Sequence, residues 1–153
     1  MELKLHWADE NATEAFATQL AQAPGLGHAL VTLHGDLGAG KTSLVRHLLH
    51  ALGVQGRIKS PTYALAETYE LPDLTAWHFD FYRFSDPREW EDAGLRDIFG
   101  APGLKLAEWP EKAAPWLPPA DLEVHLRVQT DGSRAVHLKA GSATGLQLLA
   151  HIA

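Results

Sequence analysis

Apolar and polar positions alternate along this chain in short blocks, and each block predicts an element. Leu3–His6 reads as a short strand. A helix over 12–21 follows, since Ala12, Phe16 and Leu20 recur at helical spacing. Asn11 and Glu14, three residues apart, suggest the capping box that opens it. Pro24-Gly25 closes it. Ala29–His34 is an apolar run suited to a buried strand, and Lys41–Leu52 reads as a helix with Gly53 in place to end it. Tyr63–Glu70 and Thr75–Asp80 flank a Leu-Pro-Asp-Leu turn, so part of the sheet should be antiparallel.

Further on, Asp86-Pro87 opens a short helix through Trp90. A short strand is expected over Lys105–Trp109, and then a helix over Pro110–Trp116 that ends before Pro118-Pro119. Leu122–Gln129 and Ala135–Ala140 enclose Asp131-Gly132, a hairpin signal. Gly145–Ile152 reads as a C-terminal helix. The pattern describes one α/β domain over 1–153, with a mixed parallel and antiparallel central sheet flanked by helices.

Composition narrows the chemistry. With 153 residues, 46% hydrophobic and 21% charged, the chain can bury a core without staples. It has no cysteine, so disulfides, thiolate metal sites and cysteine nucleophiles are excluded. No secretory signal pattern opens it, and no apolar run approaches the roughly 20 residues of a membrane helix. A soluble cytoplasmic protein with no membrane association is expected. Thirteen basic residues against 19 acidic ones give a formal charge of −6. That balance argues against strong direct nucleic-acid binding, which needs a basic face, but allows contact with a nucleic acid held by a partner.

The clearest chemical signal is Gly35-Asp36-Leu37-Gly38-Ala39-Gly40-Lys41-Thr42, a full match to the P-loop pattern. Its glycines let backbone N–H groups curl toward phosphate oxygens, and the following helix offers its positive end to the same anion. Lys41 is expected at the β- and γ-phosphates and Thr42 on Mg²⁺. The guanine-selecting Asn-Lys-x-Asp type of motif is absent, which favours ATP. A P-loop also needs a carboxylate at a neighbouring strand end. Asp80 stands there, with His78 and Tyr82 on its face and Phe79 and Phe81 toward the core. Glu108 ends the next apolar run; it either holds the metal or orients the attacking water. Ser60-Pro61-Thr62 looks like a switch segment whose threonine senses the γ-phosphate.

Taken together, Gly35–Thr42 (GDLGAGKT), Ser60–Tyr63 (SPTY), His78–Arg83 (HFDFYR) and Glu108–Pro110 (EWP) resemble the TsaE (YjeE) family, the small P-loop ATPases of bacterial tRNA threonylcarbamoyladenosine (t6A) synthesis. The likeness runs from about Leu30 to Pro110 and is looser after Pro115. It implies a P-loop fold with a mixed sheet, slow ATP hydrolysis with Mg²⁺, and action on TsaB and TsaD, with tRNA met only through that complex. Residue by residue, it implies catalytic or metal roles for Lys41, Thr42, Asp80 and Glu108. It implies a switch role for Thr62, and roles in activity or coupling for Tyr82, Arg83 and Trp109. Leu37, Gly38, Ala39 and Gly40 would line the nucleotide, with Asp9 and Thr13 toward its base. Ser43 stands where many members have a second threonine.

Two other functions remain open from the residues. A small-molecule kinase would share the loop, but the arginine-rich lid such kinases carry has no counterpart between Asp86 and Pro110, where only Arg88 and Arg96 occur. A nucleotide-gated binding module would use ATP only to order the Ser60–Thr62 loop. His47 and His50 could share a metal by spacing but read as a solvated helix face, and His125 and His137 read as hairpin residues without a role.

Overall fold

The computed structural model describes residues 1–61 and 65–153. Within them, seven strands form one sheet in the order β1-β7-β6-β2-β5-β4-β3. Their spans are β1 Glu2–Trp7, β2 Leu30–His34, β3 Ala66–Glu70, β4 Thr75–Asp80, β5 Leu104–Glu108, β6 Leu122–Val128 and β7 Arg134–Ala140. The centre is parallel: β2 pairs with β6 on one side and β5 on the other, and β5 pairs with β4. The flanks are antiparallel, through β1–β7, β6–β7 and β3–β4. The expected mixed sheet is therefore present, with the hairpin at Asp131-Gly132 and the β3–β4 pair as read from the turns.

One face of the sheet is covered by α1 (Glu10–Ala21), α2 (Lys41–Ala51) and α5 (Ala143–Ile152). Phe16 and Leu20 of α1, Leu44 and Leu48 of α2, and Leu148 and Leu149 of α5 pack on Val31, Leu33, Leu106, Val124, Leu126 and Leu138. The other face is covered over β4 and β5 and the adjoining parts of β2 and β3. There α3 (Pro87–Asp92), α4 (Leu95–Gly100) and a 3₁₀ turn at Pro110–Ala113 close on Phe79, Phe81 and Ala107. Phe79 and Phe81 are fully buried there, as the two-residue period implies.

Several elements differ from the sequence reading. Helix α1 starts earlier and is capped by Asp9, not Asn11: Asp9 is extended, and its carboxylate accepts from Ala12 N at 3.1 Å. Asp and Asn cap about equally well, so composition alone does not choose between them. Helix α4 was not expected. Its six residues are too short to stand alone, and Phe99 holds it by packing on Phe79 (ring centroids 4.5 Å) and Trp90 (5.4 Å). The stretch after Pro110 is a 3₁₀ turn ending at Ala113 rather than a helix to Trp116. No helix among the described residues is long and apolar enough to cross a membrane.

Candidate functional site: a phosphate loop with two strand-end carboxylates

Strand β2 feeds directly into the glycine loop, and α2 begins at Lys41. Gly35 cannot be replaced at low cost, because its φ is +150° and a Cβ would lie 2.6 Å from the Leu126 carbonyl of β6. Gly40, at φ 104°, turns the chain into α2. The loop thus sits at the carboxyl end of a central parallel strand, where open α/β sheets place their ligands.

The neighbouring parallel strands bring in the acids. Asp80 ends β4 and Glu108 ends β5, and the two are direct register partners. Thr42 Oγ1 donates to Glu108 at 2.9 and 3.1 Å to its two carboxylate oxygens. Glu108 is buried, and its Oε2 also lies 2.6 Å from Nε2 of His78, which is fully buried. His78 was placed by sequence only on the same strand face as Asp80; its position beneath Glu108 depends on the β4–β5 register. Its Nδ1 is buried with no hydrogen-bond partner among the described residues. Asp80 is half-buried and accepts from Tyr82 N at 3.0 Å. Burial lifts its carboxyl above the usual range, opposed by the Tyr82 amide and reinforced by the nearby Glu108.

Lys41 is buried, and its ammonium donates to the Gly35 carbonyl. It also lies 3.5 Å from the centroid of the Trp109 ring, a cation–π contact. Burial lowers its pKa, while Glu108, Glu111, Asp80 and Asp36 pull it back up. Trp109 holds a left-handed backbone (φ 55°), the sole non-glycine at positive φ among the described residues, and its ring meets Tyr82 at 5.0 Å. A bulky residue in that region costs about 1–3 kcal/mol, and such strain concentrates at functional sites.

An open cleft of about 360 Å³ joins these groups: Leu37, Gly38, Gly40, Lys41, Thr42, Asp80, Glu108 and Trp109 all line it, with Tyr82, Ser43 and Arg134. A second pocket of about 170 Å³ lies across the loop, between Ala39 and Gly40 and the start of α1, where Asp9 and Thr13 line it with Trp7 and Glu10. Gly40, Ser43 and Arg134 belong to both. The structure therefore places Asp9, Thr13, Leu37, Gly38, Ala39, Gly40, Lys41, Thr42, Asp80, Tyr82, Glu108 and Trp109 around one loop. Thr62 lies outside the described residues. Arg83 is exposed and lines neither cleft. Sequence reading missed Arg134, whose Nε donates to the Ala39 carbonyl at 2.8 Å. Its only local signal is its position two residues after Asp131-Gly132, where a hairpin brings β7 back toward the loop.

A hydroxyl and two carboxylates make an all-oxygen donor set, the kind hard cations such as Mg²⁺ prefer. Asp80 and Glu108 end neighbouring parallel strands as register partners, Thr42 Oγ1 lies on the Glu108 carboxylate, and all three line one cleft, so the residues fit a bound dication.

The family described as "Threonylcarbamoyl adenosine biosynthesis protein TsaE" matches residues 7–136. This chain belongs to the TsaE family. The curated TsaE protein of Haemophilus influenzae is 43% identical over 120 residues, covering 78% of this chain and 75% of that one. The TsaE protein of Bacillus subtilis is 33% identical over 139 residues, covering 91% and 86%. Among solved structures, Bacillus subtilis YdiB superposes with a TM-score of 0.83 at 27% identity, over 99% of this chain and 94% of that one. The TsaE fold is thus shown along essentially the whole chain, including the part after Pro115 where the sequence likeness is loose.

Proposed function

We propose that this chain is a Mg²⁺-dependent ATPase of t6A tRNA modification, slow alone and stimulated by its partners. In this reading it works in the cytoplasm on the TsaB–TsaD complex to permit repeated turnover. It meets tRNA only through that complex, in keeping with its charge of −6. The observation that carries the reading is the convergence at the mouth of the loop of Thr42, in the first turn of α2, with Glu108 and Asp80, at the ends of the adjacent parallel strands β5 and β4.

ATP would place its phosphates in the Gly35–Thr42 loop. Lys41 would exchange the Gly35 carbonyl for phosphate oxygens, a stronger partner for an ammonium. Thr42, Asp80 and Glu108 would hold Mg²⁺, which when bound neutralises charge on the transferring phosphoryl group. His78 keeps Glu108 oriented from beneath. Glu108 or a partner residue positions the attacking water. Trp109 shields one side of Lys41 from solvent. Asp9 and Thr13 would lie toward the base, although the Asp9 carboxylate is already engaged in capping α1. Loss of the γ-phosphate would be sensed by Thr62 and passed to the partner complex.

The test is ATP hydrolysis by the pure protein, alone and then with TsaB–TsaD and tRNA. Slow turnover that rises with the complex supports the proposal. Phosphate passed to a small acceptor rather than water, with no response to the complex, contradicts it.

A further inference from the structure

The sheet face opposite α1, α2 and α5 carries a second group of ligand-type side chains, on the side of β2 away from Glu108. Register pairing sets His34 of β2 beside His125 of β6, and His125 beside His137 of β7. Two residue pairs back, on the same face, Glu123 of β6 stands opposite Thr32 of β2. His34 and His125 stack with ring centroids 4.2 Å apart. Glu123 Oε1 lies 2.9 Å from His125 Nε2 and 3.9 Å from His34 Nε2. One atom from each of the three side chains falls within 4.8 Å of both others.

We propose that His34, Glu123 and His125 form a binding site for a divalent transition metal of the zinc type, separate from the oxygen-lined Mg²⁺ site. Two imidazoles and one carboxylate suit zinc, and imidazole ligands disfavour Mg²⁺. Tetrahedral zinc at bonds of about 2.0–2.1 Å needs donors about 3.3 Å apart, so the cluster must close by an ångström or so. Rotation about the soft terminal torsions of the two rings supplies that movement and breaks their stacking. All three side chains are partly buried yet reach solvent, which leaves room for water as the fourth ligand.

One neighbour outside the cluster strengthens the assignment. Glu111 Oε2 stands 3.9 Å from Nδ1 of His34, on the side where a metal-bound imidazole takes its orienting carboxylate. The other histidine with two acids nearby lacks this convergence. His47 meets Glu10 through Nε2 at 2.7 Å and Glu14 through Nδ1 at 3.6 Å, opposite ends of one ring that cannot share an ion. His50 instead pairs with the Gly56 carbonyl.

The experiment is calorimetric titration of Zn²⁺ into the tag-free, nucleotide-free full chain, with Co²⁺ visible absorption as a second readout of coordination by nitrogen. The expected result is one saturable Zn²⁺ per chain. Affinity should fall at least about tenfold in His125→Ala and in Glu123→Gln, and stay unchanged in His47→Ala. Circular dichroism of each variant establishes that the fold is retained, and none of the three side chains lines either cleft of the phosphate loop, so the outcome is independent of the ATPase reading. Absence of saturable binding in the wild type, or equal affinity in folded His125→Ala and Glu123→Gln, overturns the proposal.

Discussion

The two wings of the sheet treat polar side chains in opposite ways. Along β6 and β7, buried and partly exposed residues alternate, and the charged members, among them Glu123, Arg127 and Lys139, face outward. All five residues of β5 are buried, Lys105 and Glu108 included, and the adjoining β4 buries His78. A charge taken out of water is costly unless something compensates it. In the first wing solvent does so. In the second, Glu108 is compensated by the Thr42 hydroxyl and His78, which ties the buried acid to the phosphate loop. Where a strand departs from alternation by burying a carboxylate, the departure marks the site.

Four changes break or sharpen that contrast, from the largest effect down. Lys41→Ala should reduce ATP turnover by about 10²–10³-fold, the loss typical of a single transition-state charge donor; steady-state phosphate release measures it. Glu108→Ala leaves His78 and Thr42 without their shared acceptor and should destabilise the fold by about 1–3 kcal/mol, read by urea unfolding, as well as weakening Mg²⁺ dependence. Arg134 links the two wings through the Ala39 carbonyl. Arg134→Ala should cost about 1 kcal/mol in ATP affinity, roughly fivefold in Kd, by loosening the loop. Arg127→Ala, on the solvent side of β6, should change stability by less than about 0.5 kcal/mol and leave turnover as it was. An Arg127 effect as large as that of Glu108 would erase the distinction between the wings.

Much of this was legible in the sequence because local rules sufficed. The alternation of 122–128 and 134–140 around Asp131-Gly132 specifies the hairpin, and the spacing of Gly35, Gly40, Lys41 and Thr42 specifies the loop. Phe79 and Phe81 fall on the buried face by strand period alone. What was not legible depends on tertiary position. Asp9 displaces Asn11 as the cap because of where the chain enters α1. Helix α4 exists through the contacts of Phe99 with Phe79 and Trp90. His78 reaches Glu108, and Arg134 reaches Ala39, only after strands distant in sequence have paired. The cluster of His34, Glu123 and His125 has the same origin, since β2 and β6 are far apart along the chain and adjacent in the sheet.

The most direct test of the central claim, that Thr42, Asp80 and Glu108 form one cation site at the loop, is ATP affinity with and without Mg²⁺ in the wild type, Asp80→Asn and Glu108→Gln. The account predicts that Mg²⁺ tightens ATP binding in the wild type and that each substitution removes most of that gain while leaving Mg²⁺-free binding nearly intact. An undiminished Mg²⁺ gain in both variants would contradict it.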